Sequence, residues 1–487
     1  MKYIIETQDS RYLPNIEAAL KIVDPKAEIV QDGQGVRLII QVEGVHVSVT
    51  APDLSETGRS WEYYDKDILD PRYSTADRLR RMKELVRLGI IKLLGDFLGK
   101  TPPWGILSSV RPTKIYHYLR EKGFTQSEIY DKLLSIYGIS TDKAELLVNV
   151  GSFQERFFKP QEYISVYVGI PFCPSRCHYC SFPAVSLQTH HHWVARYLEG
   201  LRIETEAIGE LCRSLGFKIE SIYIGGGTPT SLELEDFARV LQWTVSAFKT
   251  GDTIEFTVEA GRPETVTREK LEAMRHFGVT RMSINPQTMH DRTLALIGRN
   301  HTAAQVEAAM DKAKKFDGLL LNMDLILGLP GEAPEDFLDS LEQVIALNPD
   351  NITIHTLAPK RAAKWGREFS ELNLLDDDSL AEVSDTVVCR LSRAGFHPYY
   401  LYRQRRILAD LENIGYARPG SESVYNIQMM EERQTIIGVG AGAITKWVVG
   451  TEPQISRYQN PKCPATYASR IVADIAKKAH QTRILLG

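Results

Sequence analysis

The chain has 487 residues, 43% of them apolar and 25% charged, with a net charge of −4. That length allows two or three domains with a large core, and the missing basic excess speaks against nucleic acid as a partner. Six cysteines in so long a chain do not make a disulfide framework.

Residues 1–155 read as an α+β domain. The first ten residues have no apolar run of a secretory leader. Val36 to Val49 alternates apolar and polar residues around Glu43-Gly44, which predicts a hairpin. Thr75 to Leu98 has apolar residues at helical spacing. The stretch from Trp104 to Lys114 is polar and loop-like and reads as a connector. Two further helices are expected from Thr125 and from Thr141.

Residues 160–360 alternate strand and helix. Strands are predicted near 163–170, 218–224, 253–259, 281–285, 319–326 and 351–356, with helices such as Glu233 to Phe248 and Pro334 to Leu347 between them. Alternation at this period implies parallel βαβ units, with chemistry at the C-terminal ends of the strands. The most apolar stretch, Leu319 to Leu329, is interrupted by Asn322 and Asp324 and is too short to span a bilayer.

The first of these strands leads into Val168-Gly-Ile-Pro-Phe-Cys-Pro-Ser-Arg-Cys-His-Tyr-Cys-Ser-Phe-Pro-Ala184. Cys173, Cys177 and Cys180 stand at C-x3-C-x2-C spacing. Structural zinc wants four ligands, usually as two close pairs. Three thiolates on one tight loop suit a [4Fe–4S] cluster with one iron left open for a small molecule. The second strand ends in Gly-Gly-Gly-Thr-Pro-Thr at 225–230. Glycines there permit close backbone approach to a ligand. Four polar residues follow in or just after predicted strands: Glu259, Gln287, Arg299 and Asp324. Asp324 sits within an apolar strand, where an unpartnered carboxylate is costly, so a ribose diol or a cation is expected beside it, the alternative being a carboxylate satisfied by backbone amides.

Residues 361–487 form a third region. Leu380 to Ala394 reads as a helix. Asn413 to Gly420 and the glycine-rich Gly438 to Ile444 read as loops that cover the barrel mouth. The triplet His190 to His192 reads as a polar helix start, with contact to a propionate or a metal as the alternative. Cys212, Cys389 and Cys463 are isolated and read as packed thiols rather than ligands.

The cysteine loop with the glycine run resembles the radical S-adenosylmethionine (SAM) superfamily. That implies an open, partial (β/α)6 barrel flanked by an N-terminal α+β domain and a C-terminal cap region. A closer resemblance rests on Tyr167-Val-Gly-Ile-Pro-Phe-Cys173, the glycine run, and Asp324-Leu-Ile-Leu-Gly-Leu-Pro330. It rests also on Ala417-Arg-Pro-Gly420 and on the spacings of 12 from Gln287 to Arg299 and 25 from Arg299 to Asp324. These are similar to the oxygen-independent coproporphyrinogen III oxidase (coproporphyrinogen dehydrogenase) family. The N-terminal domain and Tyr425 to Thr435 resemble its HemZ-type branch.

The resemblance implies two cofactors, a [4Fe–4S] cluster and SAM. It implies that Tyr167 and Tyr179 flank the SAM site and that Gly226, Gly227 and Thr228 cradle it. Glu259, Gln287, Arg299, Asp324, Ala358 and Ile444 match further SAM contacts. Arg299 would pair with the SAM carboxylate, to which its planar fork is suited, and Gln287 and Asp324 would hold ribose hydroxyls. The implied partners are a tetrapyrrole substrate and an external electron donor of flavodoxin or ferredoxin type, in a reducing cytoplasm. The implied reaction converts two propionates of coproporphyrinogen III to vinyl groups, giving protoporphyrinogen IX.

Three positions depart from the family pattern. Phe182 stands where the decarboxylating members carry a further cysteine, a change shared with the haem-chaperone branch. Gly169 replaces the usual histidine of the strand before the cluster. Tyr425 stands where the chaperone branch has its haem-binding histidine. Two rivals therefore remain: a haem chaperone, and a radical SAM methyltransferase acting on a tetrapyrrole.

Overall fold

The computed structural model describes every residue except 56–57, 109, 361, 367–371 and 451–453. The chain divides into two compact units, Met1–Phe153 and Gln154–Gly487.

The first unit contains β1 (Lys2–Thr7), α1 (Leu13–Val23), β2 (Glu28–Val30), β3 (Val36–Glu43), β4 (His46–Ala51) and β5 (Arg59–Tyr64). They are followed by α2 (Thr75–Leu98), α3 (Thr113–Glu121), α4 (Gln126–Ser135) and α5 (Thr141–Gln154). The sheet order is β2-β1-β3-β4-β5, parallel around β1 and antiparallel from β3 onward. The expected hairpin is β3–β4, with Glu43 opposite His46. The expected long helix is α2, whose Ser74 and Asp77 form a reciprocal cap and whose C-terminal Gly99 is left-handed at φ 63°. A side chain at Gly89 would lie 2.5 Å from the Trp61 ring, so glycine lets α2 lie close on the sheet. Within the stretch read as a connector, Trp104 is wholly buried, and α3 begins at Thr113.

The second unit contains β6 (Tyr163–Ile170), β7 (Phe172–Cys173), β8 (Val185–Ser186), α6 (Leu187–His190), α7 (Val194–Ser214), β9 (Lys218–Gly226), α8 (Leu234–Phe248) and β10 (Glu255–Glu259). Then come α9 (Arg268–His276), β11 (Arg281–Ser283), α10 (Asp291–Leu296), α11 (Ala303–Ala313), β12 (Leu320–Leu327), α12 (Pro334–Ala346) and β13 (Asn351–Thr356). Last are α13 (Asp377–Arg393), β14 (His397–Tyr402), β15 (Asn413–Ala417), α14 (Val424–Glu431), β16 (Thr435–Gly440), β17 (Ile444–Val449), β18 (Gln454–Gln459) and α15 (Pro464–Leu486).

The six predicted strands are β6, β9, β10, β11, β12 and β13. They lie side by side and parallel, in chain order. Because all six run parallel, their C-terminal ends lie on one side. The fold is the parallel α/β arrangement that the alternation implied.

The C-terminal residues behave differently from the expectation. The segment 413–420, read as a loop, contains β15, which pairs antiparallel with β13 and with β14. The segment 438–444, also read as a loop, spans the end of β16, which pairs parallel with β6. Strands β17 and β18 continue that edge antiparallel. The glycines that suggested loops serve close packing between strands. A Cβ at Gly415 would lie 1.8 Å from the Tyr400 ring, and one at Gly440 would lie 2.3 Å from the Gly169 carbonyl. Gly440 is also left-handed at φ 92°. Cys212 is buried as expected, but Cys389 and Cys463 are exposed rather than packed.

A buried ion pair fastens α15 and α7 to the β16 edge. Lys478 Nζ lies 2.6 Å from Glu204 Oε1, and both side chains are wholly buried. Glu204 also accepts from the Gly440 amide at 2.7 Å and the Tyr467 hydroxyl at 2.6 Å. Asn460 Nδ2 donates to it as well, at 2.9 Å. Among the described residues no helix is long and apolar enough to cross a membrane.

Candidate radical SAM site

The cysteine loop leaves β6 at the end where the parallel strands terminate. Its two ends are clipped together by β7 and β8, with Phe172 opposite Val185 and Cys173 opposite Ser186. The loop is held from outside by backbone bonds. The His178 amide donates to Ile297 O at 2.9 Å, and the Trp365 amide donates to His178 O at 3.2 Å. Gly298 (φ 75°) has no room for a side chain, because a Cβ there would lie 2.9 Å from the His178 ring. Cys173, Cys177 and Cys180 are all half-buried.

The glycine run of β9 lies directly beneath this loop. The Gly227 amide donates to Ile170 O at 2.8 Å and the Thr228 amide to Phe172 O at 2.7 Å. A Cβ on Gly227 would sit 2.4 Å from Phe172 O and 3.0 Å from Cys173 Sγ. The run therefore has to be glycine for the strand end and the cysteine loop to meet.

The donor set fits an anionic iron–sulfur cluster. Thr228 Oγ1 donates to Cys173 Sγ at 3.6 Å, and Arg262 Nη1 donates to Cys177 Sγ at 3.6 Å. Hydrogen bonds of this kind stabilise sulfur that carries negative charge. Burial pushes the Cys173 thiol up to about 11 and also raises Cys180, so neighbouring cations and iron are needed to hold these groups as thiolates.

Two carboxylates stand at the ends of β10 and β12. Glu259 accepts from the Tyr223 hydroxyl at 2.6 Å and from the Gly226 amide at 3.1 Å. Burial outweighs these bonds and pushes Glu259 up to about 7, with the Asp324 charge adding to the rise. Asp324 goes the other way. Burial, the largest single effect, raises it, but bonds to His355, Asn322 and Thr353 together hold it below the usual carboxylate value. Asn322 Nδ2 lies 2.8 Å from Asp324 Oδ1, and His355 Nε2 lies 3.6 Å from Asp324 Oδ2. His355 Nδ1 is in turn 3.1 Å from the Tyr402 hydroxyl. The two carboxyls of one site are thus pushed in opposite directions, Glu259 up and Asp324 down.

Gln287 bridges the cysteine loop to Asp324. It sits in the left-handed region at φ 73°, a conformation that costs energy for a non-glycine residue. Its amide donates to Asp324 O, and its carbonyl accepts from the Ile326 amide, both at 2.9 Å. Its side-chain Oε1 accepts from the Tyr179 hydroxyl at 3.2 Å. Arg299 is buried, and its Nη1 donates to Asn285 O while its Nε has no hydrogen-bond partner.

Of the residues singled out in the sequence, Tyr179, Gly226, Gly227, Thr228, Glu259, Gln287 and Asp324 come together around the cysteine loop through these contacts, and Arg299 joins them through its interaction with Cys177 and Tyr179. Tyr167 stacks with Tyr223 and Tyr425 at centroid distances of 6.1 and 6.3 Å, and its hydroxyl would lie 3.3 Å from a Cβ at Gly226. Ala358 follows β13 by two residues, and Ile444 opens β17. Neither has a polar side chain with which to join the network. Sequence reasoning gave no role to His355, Tyr402 or Arg262. The polar alternation Thr353-Ile-His355 at the end of β13 was the available signal for His355. Arg262 had none.

The radical SAM superfamily domain matches residues 167–344. The chain is 36% identical over 430 residues to the oxygen-independent coproporphyrinogen-III oxidase-like protein HemZ of Bacillus subtilis, covering 87% of this chain and 85% of that one. It is 30% identical over 282 residues to the heme chaperone HemW of the same organism, covering 57% of this chain and 70% of that protein. The coproporphyrinogen III oxidase HemN of Escherichia coli, a radical SAM enzyme, shares the fold with a TM-score of 0.53 at 22% identity, over 67% of this chain and 73% of that one. Members of the superfamily use a [4Fe–4S] cluster and SAM. With its three-cysteine loop packed on the glycine run of β9, the chain belongs to the radical SAM superfamily, in the coproporphyrinogen-III oxidase-like branch typified by HemZ.

Proposed function

We propose that this protein is a radical SAM oxidoreductase of haem biosynthesis. In this reading it decarboxylates two propionates of coproporphyrinogen III to vinyl groups without oxygen, giving protoporphyrinogen IX. The observation that carries it is the arrangement at the strand ends: three loop cysteines packed on Gly227 and Thr228, with Glu259, Gln287, Arg299 and Asp324 around them. The names of the relatives supply the tetrapyrrole class. The protein would work in the cytoplasm with a one-electron donor of flavodoxin or ferredoxin type.

Cys173, Cys177 and Cys180 would hold the cluster. The cofactors held there would supply the hydrogen-abstraction chemistry. The residues of the chain position and shield that chemistry. Arg299, buried and with its Nε unsatisfied, offers a charge-assisted bond to the SAM carboxylate. Asp324, kept ionised by His355 and Asn322, is an acceptor for a ribose hydroxyl, and Gln287 is its neighbour on the same ligand. Gly226 and Glu259 form the wall on the β9–β10 side.

The haem-chaperone reading has one structural observation in its favour: Phe182, in the place of the decarboxylases' further cysteine, is 63% exposed. Tyr425 counts against it. The residue is 3% exposed, and its ring stacks on Tyr223 at 4.4 Å, so this position offers neither a histidine nor access for haem iron. The test is an anaerobic incubation with coproporphyrinogen III, SAM and a reductant, followed by porphyrin chromatography. Vinyl products with methionine release are expected. Tight haem binding with no vinyl product would favour the chaperone.

A further inference from the structure

Arg262 follows β10 by three residues and is 2% exposed. Its guanidinium is aimed at the cysteine loop. Nη1 lies 3.6 Å from Cys177 Sγ, and Nη2 donates to Ser175 O at 3.3 Å and to the Ser175 hydroxyl. On its other side Nε lies 3.6 Å from Glu264 Oε1. The second Glu264 oxygen lies 3.6 Å from His301 Nδ1. Neither Glu264 oxygen accepts a hydrogen bond, although both are buried, and Arg262 Nε is likewise unsatisfied. His301 adds no charge, because burial and the Arg299 and Arg262 cations push it down to about 3. Two guanidiniums and one carboxylate are thus the charges behind Cys177. Arg299 already has a place in the proposed SAM site, and Arg262 has none.

We propose that Arg262 is a positioning residue that sets the reduction potential of the cluster held by Cys173, Cys177 and Cys180, with Glu264 opposing it. The inference rests on those cysteines holding a cluster. Adding an electron makes the cluster and its sulfurs more negative. A cation donating N–H to a ligand sulfur stabilises that reduced state more than the oxidised one, and hydrogen bonds to the sulfurs together with burial are levers on the potential. Low local dielectric enlarges the effect of a charge so close. Glu264, an anion behind the arginine, acts with the opposite sign.

The experiment is an anaerobic redox titration of the reconstituted protein against a one-electron reductant, followed by electron paramagnetic resonance, with iron and sulfide measured on each sample. Arg262→Gln should move the midpoint to more negative potential. A shift of 59 mV, an about tenfold change in the reduced fraction for a one-electron couple, is the scale expected. Arg262→Lys should move it less, because the charge stays while the fork geometry is lost. Glu264→Gln should move it to more positive potential. Opposite shifts at full iron content support the proposal. Midpoints equal to wild type in the arginine and glutamate variants overturn it, as do shifts of the same sign. If Arg262→Gln does not retain iron, Glu264→Gln decides by the sign of its shift, and no shift there overturns the proposal. Wild-type protein without iron and sulfide would overturn the cluster reading itself, a result distinct from an unchanged potential.

Discussion

Two clusters of buried charge in the second unit handle burial in opposite ways. At the β16 edge, Glu204 and Lys478 are wholly buried, and Glu204 has four donors on its two oxygens. Beneath the cysteine loop, Glu264 has no hydrogen bond on either oxygen, and both Arg262 and Arg299 have an unsatisfied Nε. A buried ion pair is tolerable when every lone pair and proton is used. In the first cluster the Glu204 carboxylate meets that condition within the chain, and Lys478 adds a bond to Gly438 O, so the pair reads as a fastening. The second does not, and its unsatisfied groups surround the place where an anionic cofactor is expected.

The comparison is broken most severely by the cysteines. Cys173→Ala, Cys177→Ala or Cys180→Ala should abolish the about four irons and four sulfides expected per chain. The sheet should still unfold cooperatively, since no strand depends on these side chains for its core. Iron and sulfide analysis beside circular dichroism checks both halves. Stoichiometric zinc without labile sulfide in the parent protein would refute the cluster.

Lys478→Met attacks the other cluster. It leaves Glu204 buried with its cation removed, which should destabilise the second unit by about 3–5 kcal/mol. Urea unfolding measures this. Adding Glu204→Leu should recover much of the loss, because a hydrophobic replacement of both partners removes the uncompensated charge. Molecules that remain folded should keep their iron. A Lys478→Met protein as stable as the parent would show that the pair is not a fastening.

Arg299→Ala should weaken SAM binding by roughly ten- to a hundredfold, the scale of a charge-assisted bond of ~1.5–3 kcal/mol. Asp324→Ala should weaken it less if the carboxylate holds only a ribose hydroxyl. Neither should strip iron. Calorimetric SAM titration beside iron analysis separates these outcomes, and unchanged affinity in both variants would remove Arg299 and Asp324 from the SAM site.

Much of this was legible in the sequence where the signal was local. The cysteine loop and the glycine run lie within single stretches, and the six parallel strands follow from alternation at a regular period. The strand ends were harder. Strand β16 reads Thr-Ile-Ile-Gly-Val-Gly and looks like a loop because Gly438 serves an approach to Ile444 and Gly440 one to Gly169, a residue some 270 positions earlier. His355 escaped notice because its partners, Asp324 and Tyr402, lie on two other strands. Arg262 escaped because a single arginine before a proline carries no pattern at all. What the sequence hides is pairing at long range, and charge chemistry depends on such pairing.

An effect confined to part of the pH range is the most direct test of how Glu259 is buried. Its folded value is about 7 against an ordinary 4.5. Between these values the folded protein holds a proton that the unfolded chain has lost, so stability falls as pH rises through this window. Above about pH 7 the loss is complete, and below about pH 4.5 it is absent. Glu259→Gln removes the titration while leaving an oxygen to accept from Tyr223. The variant should therefore be more stable than the parent at pH 8, by at most about 3 kcal/mol at 1.36 kcal/mol per pH unit, and the advantage should shrink steadily toward pH 5. Cofactor-free protein is the right sample, since a bound cation would change the balance at this carboxylate. Thermal unfolding across pH 5–8 reads the difference. If the two proteins respond to pH in parallel, Glu259 is ionised throughout, and the contrast drawn between it and Asp324 fails.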